Sequence, residues 1–248
     1  MKAFVAALRF LTVLPVPGEW GTAEEDLGRS VAFFPVVGIL VGGVAAALAF
    51  GLVTVLPQLP ANVLIVIGLV SVSGGLHLDG LSDTADGFFS SRPRERALEI
   101  MRDSRVGAMG VIAIVCVILL KVTALGSVPV ERVWRTVLLM PIAGRCALVI
   151  TIGLLPYARP EGGLATIFYK RRSVLSIAWA VVVLLVAGGV IAGIEGLVAA
   201  AACVLVTLVF AAYTHGKIGG ATGDTLGAAC EIVEVVPALV MSGWYYWS

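Results

Sequence analysis

Residues 74–91 read GGLHLDGLSDTADGFFSS, and they set Asp79, Asp83 and Asp86 directly after an apolar run. The spacing is i, i+4, i+7, so a helix carries all three on one face. At 100° per residue they fall within roughly 60° of one another around the axis. Carboxylates this close repel and raise one another's pKa unless a cation lies between them. A solvated acidic helix face is the bland alternative, but such a face usually interleaves Lys or Arg at i+4. Residues 77–91 contain neither, and Gly80 and Gly87 flank the stripe and are expected to leave room for a bulky ligand to approach the backbone. Uncompensated clustered carboxylates favour a hard divalent cation, Mg²⁺ or Mn²⁺, held through oxygen. The spacing is not that of an EF-hand loop, whose ligands fall at alternate positions.

The surrounding chain is unusually apolar. Of its 248 residues 59% are hydrophobic and 13% charged, against about 25% charged in a typical soluble domain. Several apolar runs reach the roughly 20 residues that cross a bilayer core. The expected fold is therefore all-α: a polytopic integral membrane bundle of about seven transmembrane helices, forming one domain over 1–248. The net charge of +1 gives no global pull toward nucleic acid. The cysteines at 116, 146, 203 and 230 are widely separated and form no C-x-x-C pair, so they read as small buried apolar residues. At the N-terminus Phe4, Leu8 and Leu11 share a helical face, which reads as a short interfacial helix. Arg9 interrupts its apolar stretch and no A-x-A site follows, so it is not read as a cleaved signal.

The expected spans are 31–56, 61–78, 107–128, 133–155, 174–194, 196–214 and 226–247. The second runs straight into the aspartates as one continuous helix. The fifth and sixth meet at GIEG, residues 193–196, too short for anything but a tight hairpin. This order gathers the N-terminus, 79–106, 156–173 and 214–225 on one side. That side holds 13 of the 17 Lys and Arg, including Arg92, Arg94, Arg96, Lys170, Arg171 and Arg172. The positive-inside rule makes it cytoplasmic. WYYW, residues 244–247, fits an aromatic belt at the opposite interface.

Other groups fall on the aspartate side. Glu95, Glu99 and Asp103 recur at i, i+4, i+8 among Arg96, Arg102 and Arg105. They read either as a surface helix laced with ion pairs or as an extra acid beside phosphate-holding guanidiniums. Residues 215–234, HGKIGGATGDTLGAACEIVE, form a glycine-rich turn opening the last span. Free amides at a helix N-terminus suit phosphate, Lys217 is within reach, and Asp224 shares the membrane face of Asp79. Glu231 and Glu234 enter the last span. Intramembrane acids face a bundle interior, with Lys121 and Arg145 as candidate partners. His77 lies about 160° from Asp79 around the helix and does not share its ligand set. Together these residues point to metal-dependent handling of a phosphorylated substrate.

GGLHLDGLSDTADGF (74–88), EIMRDSRVGAMG (99–110), KIGGATGDTLGAACEIVE (217–234) and FFPVVGILVGG (33–43) resemble the signature segments of the cobalamin synthase family, the adenosylcobinamide-GDP ribazoletransferases. They occur in that family's order over nearly the whole chain. Ser82, where alanine is commoner, is the one departure. The resemblance implies the last assembly step of coenzyme B12. A ribose hydroxyl of α-ribazole, or of its 5′-phosphate, attacks adenosylcobinamide-GDP. GMP leaves, and adenosylcobalamin or its 5′-phosphate forms. It implies Mg²⁺, the lipid bilayer as environment, and the prokaryotic cytoplasmic membrane with the site on its cytoplasmic face. It leaves open a homo-oligomer. Carried over by position, Asp79, Asp83 and Asp86 are metal ligands, with Asp103 and Asp224 as additional acids. Asp86 or Asp83 takes the hydroxyl proton. Arg102, Arg105 and Lys217 face phosphate, and His77, Gly223 and Glu231 complete the substrate contacts.

Rival chemistries fit less well. Alcohol phosphatidyltransferases want D-x-x-D-G-x-x-A-R, but Phe88, Phe89, Ser90 and Ser91 follow D-x-x-D-G here. The N-D-x-x-D motif of membrane prenyltransferases is absent. A transporter would place its key acids near the midplane in repeated halves, and no internal repeat is visible.

Overall fold

The computed structural model describes residues 1–170 and 172–247; Arg171 and Ser248 lie outside the described residues. The chain forms eleven α-helices among these residues: α1 Lys2–Leu11, α2 Glu24–Arg29, α3 Phe34–Val55, α4 Gln58–Val72, α5 Leu76–Phe88, α6 Arg94–Ile100, α7 Ala108–Gly126, α8 Val133–Leu154, α9 Thr166–Tyr169, α10 Val174–Ile218 and α11 Gly223–Trp247. Short 3₁₀ turns precede α3 and α8. No strand occurs among the described residues, and Tyr157 and Ala221 make an isolated parallel bridge.

The all-α membrane architecture is as expected, but the spans are divided differently. Five segments are long and apolar enough to cross a bilayer, or six if the bent α4–α5 pair counts as one more. About seven were expected, and two breaks in the chain account for the difference. The first lies between α4 and α5. Gly74 and Gly75 take φ of 61° and 77°, left-handed values that only glycine adopts cheaply. The chain turns by 89° there, so the expected continuous helix into the aspartates is not formed. With 15 residues, α4 is about 22 Å long, short of a roughly 30 Å hydrocarbon core. The second break is Gly193, at φ 64° and ψ −135° within the 45-residue α10. A Cβ on Gly188 would strike the carbonyl of Gly196, eight residues on. Eight residues of straight helix would separate them by about 12 Å, so α10 folds back on itself at the expected hairpin.

The centre of the bundle is α8, buried along most of its length and packed by α3, α10 and α11. Small residues permit the contact, as in other membrane helix pairs. A Cβ on Gly38 would lie 2.8 Å from the Pro141 carbonyl oxygen, and one on Gly42 would strike that of Leu138. A single apolar cluster takes residues from Ala7 to Met241. The N-terminal helix α1 belongs to it: Leu11 is fully buried, and Phe4 and Leu8 pack against the cluster. Its apolar face is thus spent on protein.

Candidate active site

The crossing of α5 and α11 builds the site. A Cβ on Gly80 would come within 2.7 Å of the Asp224 carbonyl oxygen, and one on Gly227 within 3.1 Å of the His77 carbonyl. These glycines let the two backbones touch and carry Asp224 to the aspartate face. Asp83 accordingly sits in the Coulomb field of Asp79, Asp224 and Asp86, with Arg159 as the opposing cation. Gly80 was expected to leave room for a ligand, and so was Gly87. Both are instead filled by protein, Gly87 by Met101 and Ala97.

The carboxylates differ in what they touch. Asp86 accepts backbone amides on both oxygens, from Gly107 at 2.7 Å and Gly110 at 2.9 Å. It thus caps α7, where a negative charge meets the positive end of the helix dipole. Asp224 accepts from Arg159 Nη2 at 2.7 Å and from the Thr222 hydroxyl at 3.2 Å. Asp79 is exposed and Asp83 half-buried, and neither has a hydrogen-bond or ion-pair partner among the described residues.

Three of the expected cations are engaged elsewhere. Arg105 binds Asp103 through Nε and Nη2 and holds that carboxyl well below the usual carboxylate range, at about 2. Arg102 pairs with Glu161. Lys217 donates to the Phe88 carbonyl at 3.3 Å and lies over the Tyr213 ring. The residue that sequence reading missed is Arg159. Its side chain is 12% exposed, and its Nε is buried without a partner among the described residues. It follows Pro156 in a loop that gives no helical period, so no spacing tied it to Asp224. The bridge between Tyr157 and Ala221 brings them together, with Ala158 N–H donating to Ala221 O and Ala221 N–H to Pro156 O, each at 2.8 Å.

The glycine-rich turn is less open than its sequence suggested. Thr222 and Thr225 satisfy each other's amides, at 2.8 and 3.2 Å, in the manner of a capping box. Gly223 remains exposed beside them.

Deeper in the bundle, Lys121 Nζ donates to Glu231 at 2.7 Å and to Glu234 at 2.9 Å, and Arg145 Nη1 donates to Glu234 at 2.5 Å. All four side chains are at most 5% exposed. The expected interhelical pairing of these groups is formed, and it places Glu231 in the buried network. His77 is buried next to it, 3% exposed.

Among the described residues no three His, Cys, Asp or Glu side chains converge as a ready cation cage. The donor chemistry nonetheless suits a hard cation: Asp79 and Asp83 are unpartnered carboxylates on one face, with a third, Asp224, beside them.

A cavity of about 150 Å³ opens next to these carboxylates, and its lining includes Phe10, Phe34, Phe168, His77, Asp79 and Asp224. A wider groove of about 680 Å³ adjoins it and also reaches Asp79.

The family model described as CobS, cobalamin-5-phosphate synthase, matches residues 3–242. The chain is 39% identical to a protein of Acetivibrio thermocellus, over 94% of each. It is 43% identical to one of Roseiflexus sp., over 93% of this chain and 85% of the relative. It is 38% identical to one of Brevibacillus brevis, over 99% of this chain and all of the relative. Each relative bears the name adenosylcobinamide-GDP ribazoletransferase. No solved structure matches the chain. Matched almost from end to end, with its aspartate face and Gly-Asp turn inside the match, the chain belongs to the cobalamin-5-phosphate synthase family of transferases.

Proposed function

We propose that the face formed by Asp79, Asp83 and Asp224 transfers the adenosylcobinamide phosphoryl group from adenosylcobinamide-GDP to a ribose hydroxyl of α-ribazole or its 5′-phosphate. The observation that carries this is the pair of unpartnered carboxylates, Asp79 and Asp83, beside an Asp224–Arg159 pair, in a chain of this family. In the transfer, the ribose oxygen bonds to the cobinamide-side phosphorus. The bond from that phosphorus to the bridging oxygen breaks, and GMP departs with that oxygen. Such a transfer asks for charge neutralisation and in-line positioning more than for covalent chemistry.

Mg²⁺ would be held by Asp79 and Asp83 with Asp224 beside them, and it would neutralise charge on the diphosphate. Arg159, paired with Asp224 beside these carboxylates, is the cation we assign to the phosphoryl oxygens, since guanidinium matches phosphate geometry. Asp86 is poorly placed to take the hydroxyl proton, because both of its oxygens are already occupied by backbone amides. An unbonded oxygen of Asp83 takes it instead. Asp86 acts by fixing the start of α7.

The enzyme is placed in a prokaryotic cytoplasmic membrane with this face toward the cytoplasm, as the asymmetry of basic residues favours. Detergent-purified protein is mixed with adenosylcobinamide-GDP and α-ribazole, with Mg²⁺ or with EDTA, and GMP and corrinoid product are followed by mass. Product that requires Mg²⁺ and is lost in folded Asp83→Asn supports the reading. No product from well-folded protein, with the 5′-phosphate acceptor also tried, overturns it.

A further inference from the structure

The cavity beside Asp79 is of a different kind from the acidic face. Phe10 comes from α1, Phe34 from α3 and Phe168 from α9, and the three rings pack on one another. Centroids lie 6.1 Å apart for Phe10–Phe34, 4.8 Å for Phe10–Phe168 and 5.5 Å for Phe34–Phe168. Three elements distant in sequence thus supply one aromatic wall. His77 closes another side, and its Nε2 is buried with no partner among the described residues. Asp79, exposed, and Asp224, half-buried, also line it.

We infer that this cavity seats the flat aromatic base of the acceptor nucleoside. This rests on the transfer proposed above and adds where the acceptor binds. The size suits a ring: an apolar cavity of about 150 Å³ accepts benzene, and this one, also about 150 Å³, opens outward. A fused two-ring base enters with one ring inside and the other at the mouth against Phe10, the one of the three rings left partly exposed, with Phe34 and Phe168 packed against it. The ribose attached to it then lies at the rim, where Asp79 and Asp224 meet its hydroxyls. Asp79 also lines the wider groove, so acceptor and donor approach the same carboxylate from two sides.

The chemistry selects between the two bases in the reaction. The guanine of the donor carries donors and acceptors around its edge, and largely apolar walls would leave most of them unpaired at a cost. The dimethylated benzimidazole of α-ribazole is mostly carbon and loses little by entering. An acyl chain would gain nothing from the acidic rim.

Gly223 offers a way to fill the cavity without disturbing the backbone. A Cβ there meets only Ala165 Cβ, at 3.8 Å. Binding of α-ribazole to the purified protein, without donor, is read from the fluorescence of its base. The KM of each substrate is then measured for wild type, Gly223→Leu and Phe10→Leu, with thermal melting as the check on folding. The α-ribazole Kd and KM are expected to rise about tenfold or more in Gly223→Leu and roughly three- to tenfold in Phe10→Leu, which removes one ring from the wall. The KM for adenosylcobinamide-GDP is expected to stay within about twofold in Gly223→Leu; Phe10 also lines the wider groove, so for Phe10→Leu the α-ribazole Kd, measured without donor, is the deciding readout. If Gly223→Leu does not fold, that Kd decides alone. An unchanged α-ribazole KM in folded variants, or a rise confined to the donor, overturns the assignment while leaving the transfer intact. Wild-type protein that neither binds α-ribazole nor releases GMP brings down both.

Discussion

Two acid-rich regions of this molecule are treated in opposite ways. Within the bundle, Glu231 and Glu234 are each met by Lys121, and Glu234 also by Arg145. Two anions face two cations, and their charges balance. On the face of α5, Asp79 and Asp83 stand with no partner among the described residues, and a nearby guanidinium, Arg159, is committed to Asp224. The fold neutralises charge where no ligand can reach and leaves it uncompensated where one can arrive. The first arrangement stabilises structure, because an unpaired ion in an apolar interior is costly. The second suits a site, because a cation held there would relieve repulsion among the carboxylates.

The comparison breaks most readily in the interior. Lys121→Met strands two carboxylates against Arg145 alone, and the stability loss in detergent melts is expected to be about 3–5 kcal/mol. Adding Glu231→Gln should return part of it, and a double variant no more stable than the single one would show that Glu231 is not the stranded charge. On the acidic face the signs reverse. Asp83→Asn is expected to melt within about 1 kcal/mol of wild type while transfer falls by roughly a hundredfold or more, read as initial GMP release. A variant that loses stability and keeps activity would make the face structural.

Asp86→Asn falls between the two classes. It swaps one acceptor facing a backbone amide for a donor, so the start of α7 loosens by about 1–2 kcal/mol, seen as faster hydrogen exchange at Gly107 and Gly110. The smallest effect is expected at the exposed Asp103–Arg105 pair. Arg105→Ala should leave the melting temperature unmoved, because an exposed pair is screened by water and salt. It should also let the Asp103 carboxyl rise from about 2 toward its ordinary 3.8, which a carboxyl NMR titration would detect. A melting shift there would mean that the pair is part of the fold.

Much of this was legible beforehand, for identifiable reasons. The period of Asp79, Asp83 and Asp86 is local, so one face of one helix could be read directly. The pairing of Glu231 and Glu234 with Lys121 and Arg145 was legible too, since acids within an apolar span have few charged residues to meet. The turn at Gly74–Gly75 was not read, because two glycines beside an apolar run are compatible with a continuing helix until their φ values are known. The role of Arg159 was hidden by its loop, and that of Gly80 by the assumption that a small residue faces a ligand when it faces a helix.

By itself, then, the sequence determined which carboxylates share one face of a helix, the all-helical membrane class and the family, because hydrophobic period, charge spacing and motif order are properties of neighbouring residues. Only the tertiary structure decided which carboxylates are left without partners, that Arg159 joins Asp224, and that Phe10, Phe34 and Phe168 from three separated elements wall one cavity. Those facts depend on helix crossings and turns, where backbone approach at a few glycines, and no local pattern, sets which side chains meet.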